Sequence, residues 1–128
     1  MSVLVVAEHL RGQLRDVTRE LVTAAQELEG PVALAVIGHE PSRIDAAIAG
    51  VDEIVHVDIS ADEFESDVYQ EAVEALIRER RPSVVLAGFT VNSMGYAPAV
   101  AIKLGLGFAS DVHAVRIEEG GLVVTRSF

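Results

Sequence analysis

The densest run of chemically capable residues is Gly88-Phe89-Thr90-Val91-Asn92-Ser93-Met94-Gly95. Two glycines flank two hydroxyls and an amide. At the start of a helix such residues sit beside unpaired N–H groups, which attract anions, so the chemistry on offer is capture of a phosphate. The same residue types also do ordinary capping, because Ser, Thr and Asn side chains satisfy those N–H groups themselves. The run spells neither a P-loop nor a dinucleotide fingerprint. It lacks the Gly-Lys-Ser/Thr ending of the one and the middle glycine of the other. Glu8 and His9 are adjacent after an apolar run. Their types suit an acid/base couple, and equally polar loop residues or partner contacts. Ser93 as a nucleophile needs a base and an oxyanion hole, and no Gly-x-Ser-x-Gly elbow surrounds it.

The other candidates are sparser. His9, His39, His56 and His113 fall on different expected elements and never at ligand spacing, so no metal site is expected. The absence of cysteine removes disulfides, thiolate metal sites and a cysteine nucleophile. Glu63, Glu65, Asp67, Glu71 and Glu74 form an acidic stretch. It could draw a cation or a partner, but acids entering a helix ordinarily just favour its dipole.

These residues must be held by regular elements, and the apolar spacing says which. Residues 3–7 form a continuous run rich in valine, which reads as a buried central strand. A loop containing Gly12 follows over 10–13. Apolar residues recur at three and four over 15–28, the spacing of a helix, and Gly30-Pro31 stops it. A second strand is expected over 32–37. A short helix is expected over 41–49, begun by Pro41 or Ser42 and ended by Gly50. A third strand is expected over 53–57, then a polar loop over 58–66. The helix expected over 68–80 ends in Arg78, Arg80 and Arg81, which suit the negative end of its dipole. A fourth strand is expected over 83–87. A helix over 93–104 follows, capped by Asn92 or Ser93, with Pro98 making its start irregular or late. Two short strands over 112–117 and 122–125 flank Glu118-Glu119-Gly120-Gly121, a hairpin signal.

Strands alternating with helices imply a three-layer α/β fold, a parallel sheet of Rossmann-like, adenine-nucleotide-hydrolase-like type, with a C-terminal β-hairpin. In such a sheet ligands bind beyond the strand C-termini, where strand order reverses. With the first strand central and the fourth beside it, Glu8, His9, Thr90, Asn92 and Ser93 would line that point.

The totals set limits on partners. A chain of 128 residues makes one domain, 1–128, and half its residues are hydrophobic. A formal net charge of -10 repels phosphate backbones and anionic lipid heads, so nucleic acid and membrane surfaces are poor partners. The opening apolar run is too short for a span or a signal peptide and has no basic leader, so a cytoplasmic location is expected. The chain stops at Arg126-Ser127-Phe128, beside a strand, which reads as a sign that the natural protein continues.

Taken in order, several fragments resemble the alpha subunit of electron-transfer flavoproteins, in its N-terminal domain. They are Leu4-Val5-Val6-Ala7-Glu8-His9, the small-residue helix around Thr23-Ala24-Ala25, and Ala49-Gly50-Val51-Asp52-Glu53-Ile54. Pro82-Ser83-Val84-Val85-Leu86 and Gly107-Phe108-Ala109-Ser110-Asp111-Val112 continue the likeness. It covers the whole chain. One departure is that many members carry a Gly-Arg-Asp…Pro-Arg pattern after the fourth strand. This chain has Ser93-Met94-Gly95-Tyr96-Ala97-Pro98-Ala99, wording closer to the branch that serves trimethylamine and dimethylamine dehydrogenases.

The resemblance implies a piece of an electron carrier and not an enzyme. It implies FAD held mainly by a C-terminal domain absent here, and a structural AMP on a beta subunit that packs against this domain. It also implies dehydrogenases as redox partners and a quinone-linked acceptor. It carries over no catalytic residue and no cofactor contact; Glu8, His9, Thr90, Asn92 and Ser93 stand only as the place to look if a ligand is found. The competing readings are a small nucleotide-binding module like the universal stress proteins and, more remotely, a hydrolase of adenine nucleotides.

Overall fold

The computed structural model describes residues 1–61, 63–119 and 121–126. Val3–Val6 (β1) is apolar throughout and all four residues are buried, as a strand covered on both faces must be. It pairs in parallel with Val32–Gly38 (β4) on one side and with Val84–Leu86 (β6) on the other. Glu53–Asp58 (β5) lies outside β4, giving the order β5-β4-β1-β6. The chain therefore moves outward from β1 to β5, then crosses back to place β6 on the far side of β1. That reversal opens a crevice at the C-terminal ends of β1 and β6.

Side chains alternate across the sheet and build two cores. Val3, Val5, Leu34 and Val36 face one side, where Val22 and Ala25 of the helix Asp16–Ala25 (α1) cover them. Leu4, Val6, Ala35 and Ile37 face the other, against Val73 and Leu76 of Ser66–Arg80 (α2) and Val100 of Ala97–Leu104 (α4). This is the expected three-layer arrangement. Arg80 in the last turn of α2 also pairs with Glu53 of β5, 2.5 Å away.

The local departures from expectation have local causes. The supposed loop over 10–13 is a tight hairpin of His9–Leu10 (β2) and Gln13–Leu14 (β3). Arg11 and Gly12 turn it with φ of 53° and 79°, the left-handed pair that two-residue hairpins need. Arginine in the first turn position hides that signal.

The helix expected over 41–49 is only a 3-10 turn at Pro41–Arg43. Beyond it Asp45 donates its N–H to the Gly12 carbonyl at 3.1 Å and bridges to Gln13, so the hairpin draws the segment out of a helix. The helix expected over 15–28 ends at Ala25.

The one expected over 93–104 is two: Val91–Met94 (α3) and α4, broken at Gly95-Tyr96. Pro98 sits in the first turn of α4, where a missing N–H is harmless. The cap of α3 is Thr90, not Asn92 or Ser93.

Val112–Glu118 (β7) and Gly121–Arg126 (β8) form a separate two-stranded sheet, not an extension of the main one. Val115 and Ile117 pack it against the α1-side core. Asp62 of the expected loop, Gly120 of the Gly-Gly turn, and Ser127 and Phe128 at the end lie outside the described residues.

Leu34 is fully buried in the second strand of the sheet, between β1 and β5. Leu34→Ala should cost about 3 kcal/mol, the usual cost of a large-to-small change in a packed core. Urea unfolding measures it, and a loss below about 1 kcal/mol would mean this core is not close-packed.

Candidate functional site at the strand-order reversal

The first residues past β1 are fixed by a reciprocal pair of hydrogen bonds. The Glu8 N–H donates to the Thr18 hydroxyl oxygen at 2.9 Å, and the Thr18 hydroxyl donates back to the Glu8 carbonyl at 3.0 Å. Thr18 is on α1 and fully buried, so the helix clamps the strand end from below.

The Glu8 side chain then reaches across the crevice. Its Oε1 accepts from the Thr90 hydroxyl. Thr90 Oγ1 accepts from the Ser93 N–H, and Ser93 Oγ accepts from the Thr90 N–H, both at 3.1 Å, a closed capping box on α3. The Ser93 hydroxyl donates to the Gly88 carbonyl. Glu8, Thr90 and Ser93 are thus one chain of bonds joining the end of β1 to the β6–α3 loop.

That chain decides several chemical questions. Ser93 is buried, and its proton is aimed at a backbone carbonyl and not at a base, which is no arrangement for a nucleophile. Glu8 is 7 % exposed, and its second oxygen, Oε2, is buried with no hydrogen-bond partner among the described residues. His9 is engaged elsewhere. Its Nε2 lies 2.6 Å from the Ile37 carbonyl, which also accepts from the Tyr69 hydroxyl at 2.7 Å. The imidazole therefore carries its proton on Nε2, and no hydrogen bond joins it to Glu8. The ring lies so close to Gly38 that a Cβ there would stand 3.1 Å from it, so glycine makes the room.

A cleft of about 250 Å³ opens at this point. Glu8 and His9 form part of its wall, with Asn92 beside them, so four of the five expected residues border it or bond directly to one that does; the fifth, Ser93, is the buried third residue of α3, bonded to the Thr90 cap. Three aromatic rings were not singled out from sequence. Phe64, Tyr69 and Tyr96 line the cleft with centroids 4.8 to 6.2 Å apart. Arg11 and Arg15 stand exposed at its mouth. Tyr69 has one legible signal, an aromatic on the apolar stripe of α2. Tyr96 and the arginines have none, because the helix break and the β2–β3 turn that aim them are themselves hidden.

Burial, then the nearby Glu8 carboxylate, pushes the Tyr69 hydroxyl up to about 12. Tyr96 is raised by the same two causes, with Tyr69 adding to them. Both hydroxyls are neutral donors at any physiological pH.

Other residues weighed from the sequence fall outside the cleft. Glu74 is not a solvent-facing dipole acid: it is 2 % exposed, with the Lys103 ammonium of α4 3.3 Å from its Oε1. That is ion-pair distance without hydrogen-bond alignment. His56 lies within β5 and His113 within β7, and no cluster of three His, Cys, Asp or Glu side chains able to hold a metal occurs among the described residues.

Thr90→Val removes both the donor to Glu8 and the cap of α3, and should cost about 2 kcal/mol in urea unfolding. A loss near zero would mean that neither bond matters. The raised tyrosines set a second test. A phenol whose folded pKa exceeds its unfolded value binds its proton more tightly when folded, so its stabilisation is complete below pH 10 and is lost as pH rises toward 12. Stability should therefore fall through that window, and Tyr69→Phe should make the fall shallower. An unchanged slope in the variant would contradict the assignment.

The chain matches the electron transfer flavoprotein domain family over residues 3–128. It is similar to the electron transfer flavoprotein subunit alpha of Methylophilus methylotrophus, 45% identical across 98% of this chain and 41% of that protein. The alpha subunit of Syntrophomonas wolfei subsp. wolfei is 31% identical across 96% of this chain and 40% of its own length. That of Bacillus subtilis is 28% identical across 98% and 40%. The chain spans about two-fifths of the length of the curated relatives it matches. The resemblance carried by the Ala-Glu-His strand end and the later fragments thus holds along the whole chain, and this polypeptide belongs to the electron transfer flavoprotein family, with the alpha subunits as its relatives.

Proposed function

We propose that these residues are the N-terminal scaffold of an electron transfer flavoprotein alpha subunit, a domain that holds no flavin and contacts the beta subunit. FAD then sits on polypeptide outside this chain, with AMP on the beta subunit. The assembled heterodimer passes electrons from dehydrogenases, of the trimethylamine and dimethylamine kind, to a quinone-linked acceptor in the cytoplasm. No residue of this chain carries out the chemistry.

The observation that supports the inert reading is the carboxylate at the strand-order reversal. In nucleotide-binding sheets of this type the ligand's phosphates come to rest there, on a glycine-rich turn. Here Glu8 occupies that place, buried and bonded to Thr90, the residue that would otherwise greet a phosphate. A negative group there repels phosphate at short range in a low dielectric. The same argument weighs against the universal-stress-protein-like module.

The contact surface is best sought beyond β6. Phe89, Met94, Leu106 and Phe108 are exposed and line one groove of about 780 Å³ along the β6 side of the sheet. Val91 and Ile102, nearby in sequence, are 92% and 83% exposed. Apolar side chains gathered in this way mark a surface meant to be covered. Among the described residues, no helix is long and apolar enough to cross a membrane.

The test is to purify the 128-residue chain from cells making ample FAD. The protein should be colourless, and neither FAD nor AMP should give saturable heat in a titration. Stoichiometric yellow flavin on this chain would overturn the proposal. Co-expressed beta subunit should bind the longer alpha subunit, and Phe89→Asp with Phe108→Asp, both exposed in that groove, should weaken that capture at least tenfold. Undiminished capture would move the contact to another face.

A further inference from the structure

Glu74 is a second acid that the fold shuts away from water. It sits on α2 at 2 % exposure, and its Oε1 has no hydrogen-bond donor among the described residues. A buried carboxylate is costly unless a counter-charge meets it. Its ion-pair partner among the described residues is the Lys103 ammonium of α4, 3.3 Å from Oε1, and it has no other there. The pair joins two helices whose apolar faces close the same core, with Val73 and Leu76 on one and Val100 on the other.

The lysine end of this pair is open. The Lys103 side chain is 58 % exposed, and it does not line the groove beyond β6. It is also chemically singular. Of the ten lysine and arginine residues in the chain, Lys103 alone is a lysine. Elsewhere among the described residues, Arg43, Arg80 and Arg116 serve the ion pairs with glutamate. A guanidinium stays protonated in proteins and offers no nucleophile, whereas an ammonium can give up a proton and present a lone pair. The one buried glutamate with a cation partner is therefore held by the one basic side chain that can be converted to an amide.

We propose that Lys103 is an acyl-acceptor site whose modification weakens the hold of α2 on α4. Nζ, having lost a proton to water, attacks the carbonyl carbon of an acyl phosphate or an acyl thioester. An N–C bond forms and the C–O or C–S bond breaks. Phosphate or thiolate leaves with the electron pair, the nitrogen sheds a second proton to solvent, and nothing is oxidised or reduced. The amide is neutral, so Glu74 stays buried without its counter-charge. The site needs neither FAD nor the beta subunit.

The test is to treat the folded chain with acetyl phosphate and, separately, with an acetyl thioester. Peptide mass spectrometry locates the acetyl group, and thermal unfolding reads its effect. At least one donor should acetylate Lys103, and the product should melt about 5 °C or more below the parent, as loss of one partner of a buried pair requires. Lys103→Arg, treated in parallel, controls for acetylation of the Met1 amine and should keep its midpoint. Lys103→Gln should reproduce the fall in the parent but have little effect in a Glu74→Gln background, which separates lost charge from lost packing. If Lys103→Gln does not fold, the chain acetylated after folding still gives the measurement. Failure of both donors to modify Lys103 would overturn the proposal. So would an acetylated chain with the parent's midpoint, or an equal fall from Lys103→Gln in both backgrounds.

Discussion

The hydrogen-bonded path from Thr18 through Glu8 to Thr90 is the constraint on which the rest of this molecule turns. A parallel sheet whose strand order reverses leaves two loops facing each other across a gap, and nothing in strand pairing closes it. Here the gap is spanned by one side chain. Thr18 fixes the backbone of Glu8 from α1, and the carboxylate fixes the cap of α3 from across the crevice. The position of α3 in turn sets where Tyr96 and α4 begin. A single acid therefore relates three elements that are far apart in sequence.

The same acid changes what the fold can do. The crevice is built like the place where related sheets take phosphate, and its hydroxyl and amide residues are of the right type. Their sign is wrong. Thr90 and Ser93 spend their donors on Glu8, on the backbone and on one another, and the buried charge faces inward. A shared architecture thus carries opposite electrostatic preferences, which is why the site and not the fold has to carry the functional argument.

The main architecture was legible because burial on both faces leaves its mark in continuous apolar runs. Val3 to Val6 and Val32 to Ile37 could hardly be anything else, and the glycine and proline stops divided them cleanly. The failures share a cause. The segment after Pro41 has the residues of a helix, and only the distant Gly12 carbonyl draws Asp45 away from one. Glu74 sits among solvent-seeking acids, and only Lys103 on another helix explains its burial. Five candidate residues were put at the crevice by the reversal rule, which is a statement about topology, and four of them border the cleft or bond to a residue that does. The rings and the arginines around them were not, because their placement depends on a left-handed Arg11 and on a helix broken at Gly95-Tyr96. Local sequence gives little sign of either.

The arrangement also bears on how an acidic chain manages its surface. Most of its carboxylates can shed their repulsion into water, so a net charge of -10 is tolerable for a domain of this size. Glu8 cannot. Its carboxylate is held where the dielectric is low, and it adds to burial, the larger cause, in raising the affinity of two neighbouring tyrosines for their protons. Those tyrosines stay neutral, and Tyr69 spends its hydrogen on the Ile37 carbonyl and not on the acid. The nearest polar neighbours therefore do not discharge the carboxylate. Glu8 thus keeps one oxygen on Thr90 and the other shut away from water, so the acid at the reversal serves to join elements and to set the sign of the crevice wall.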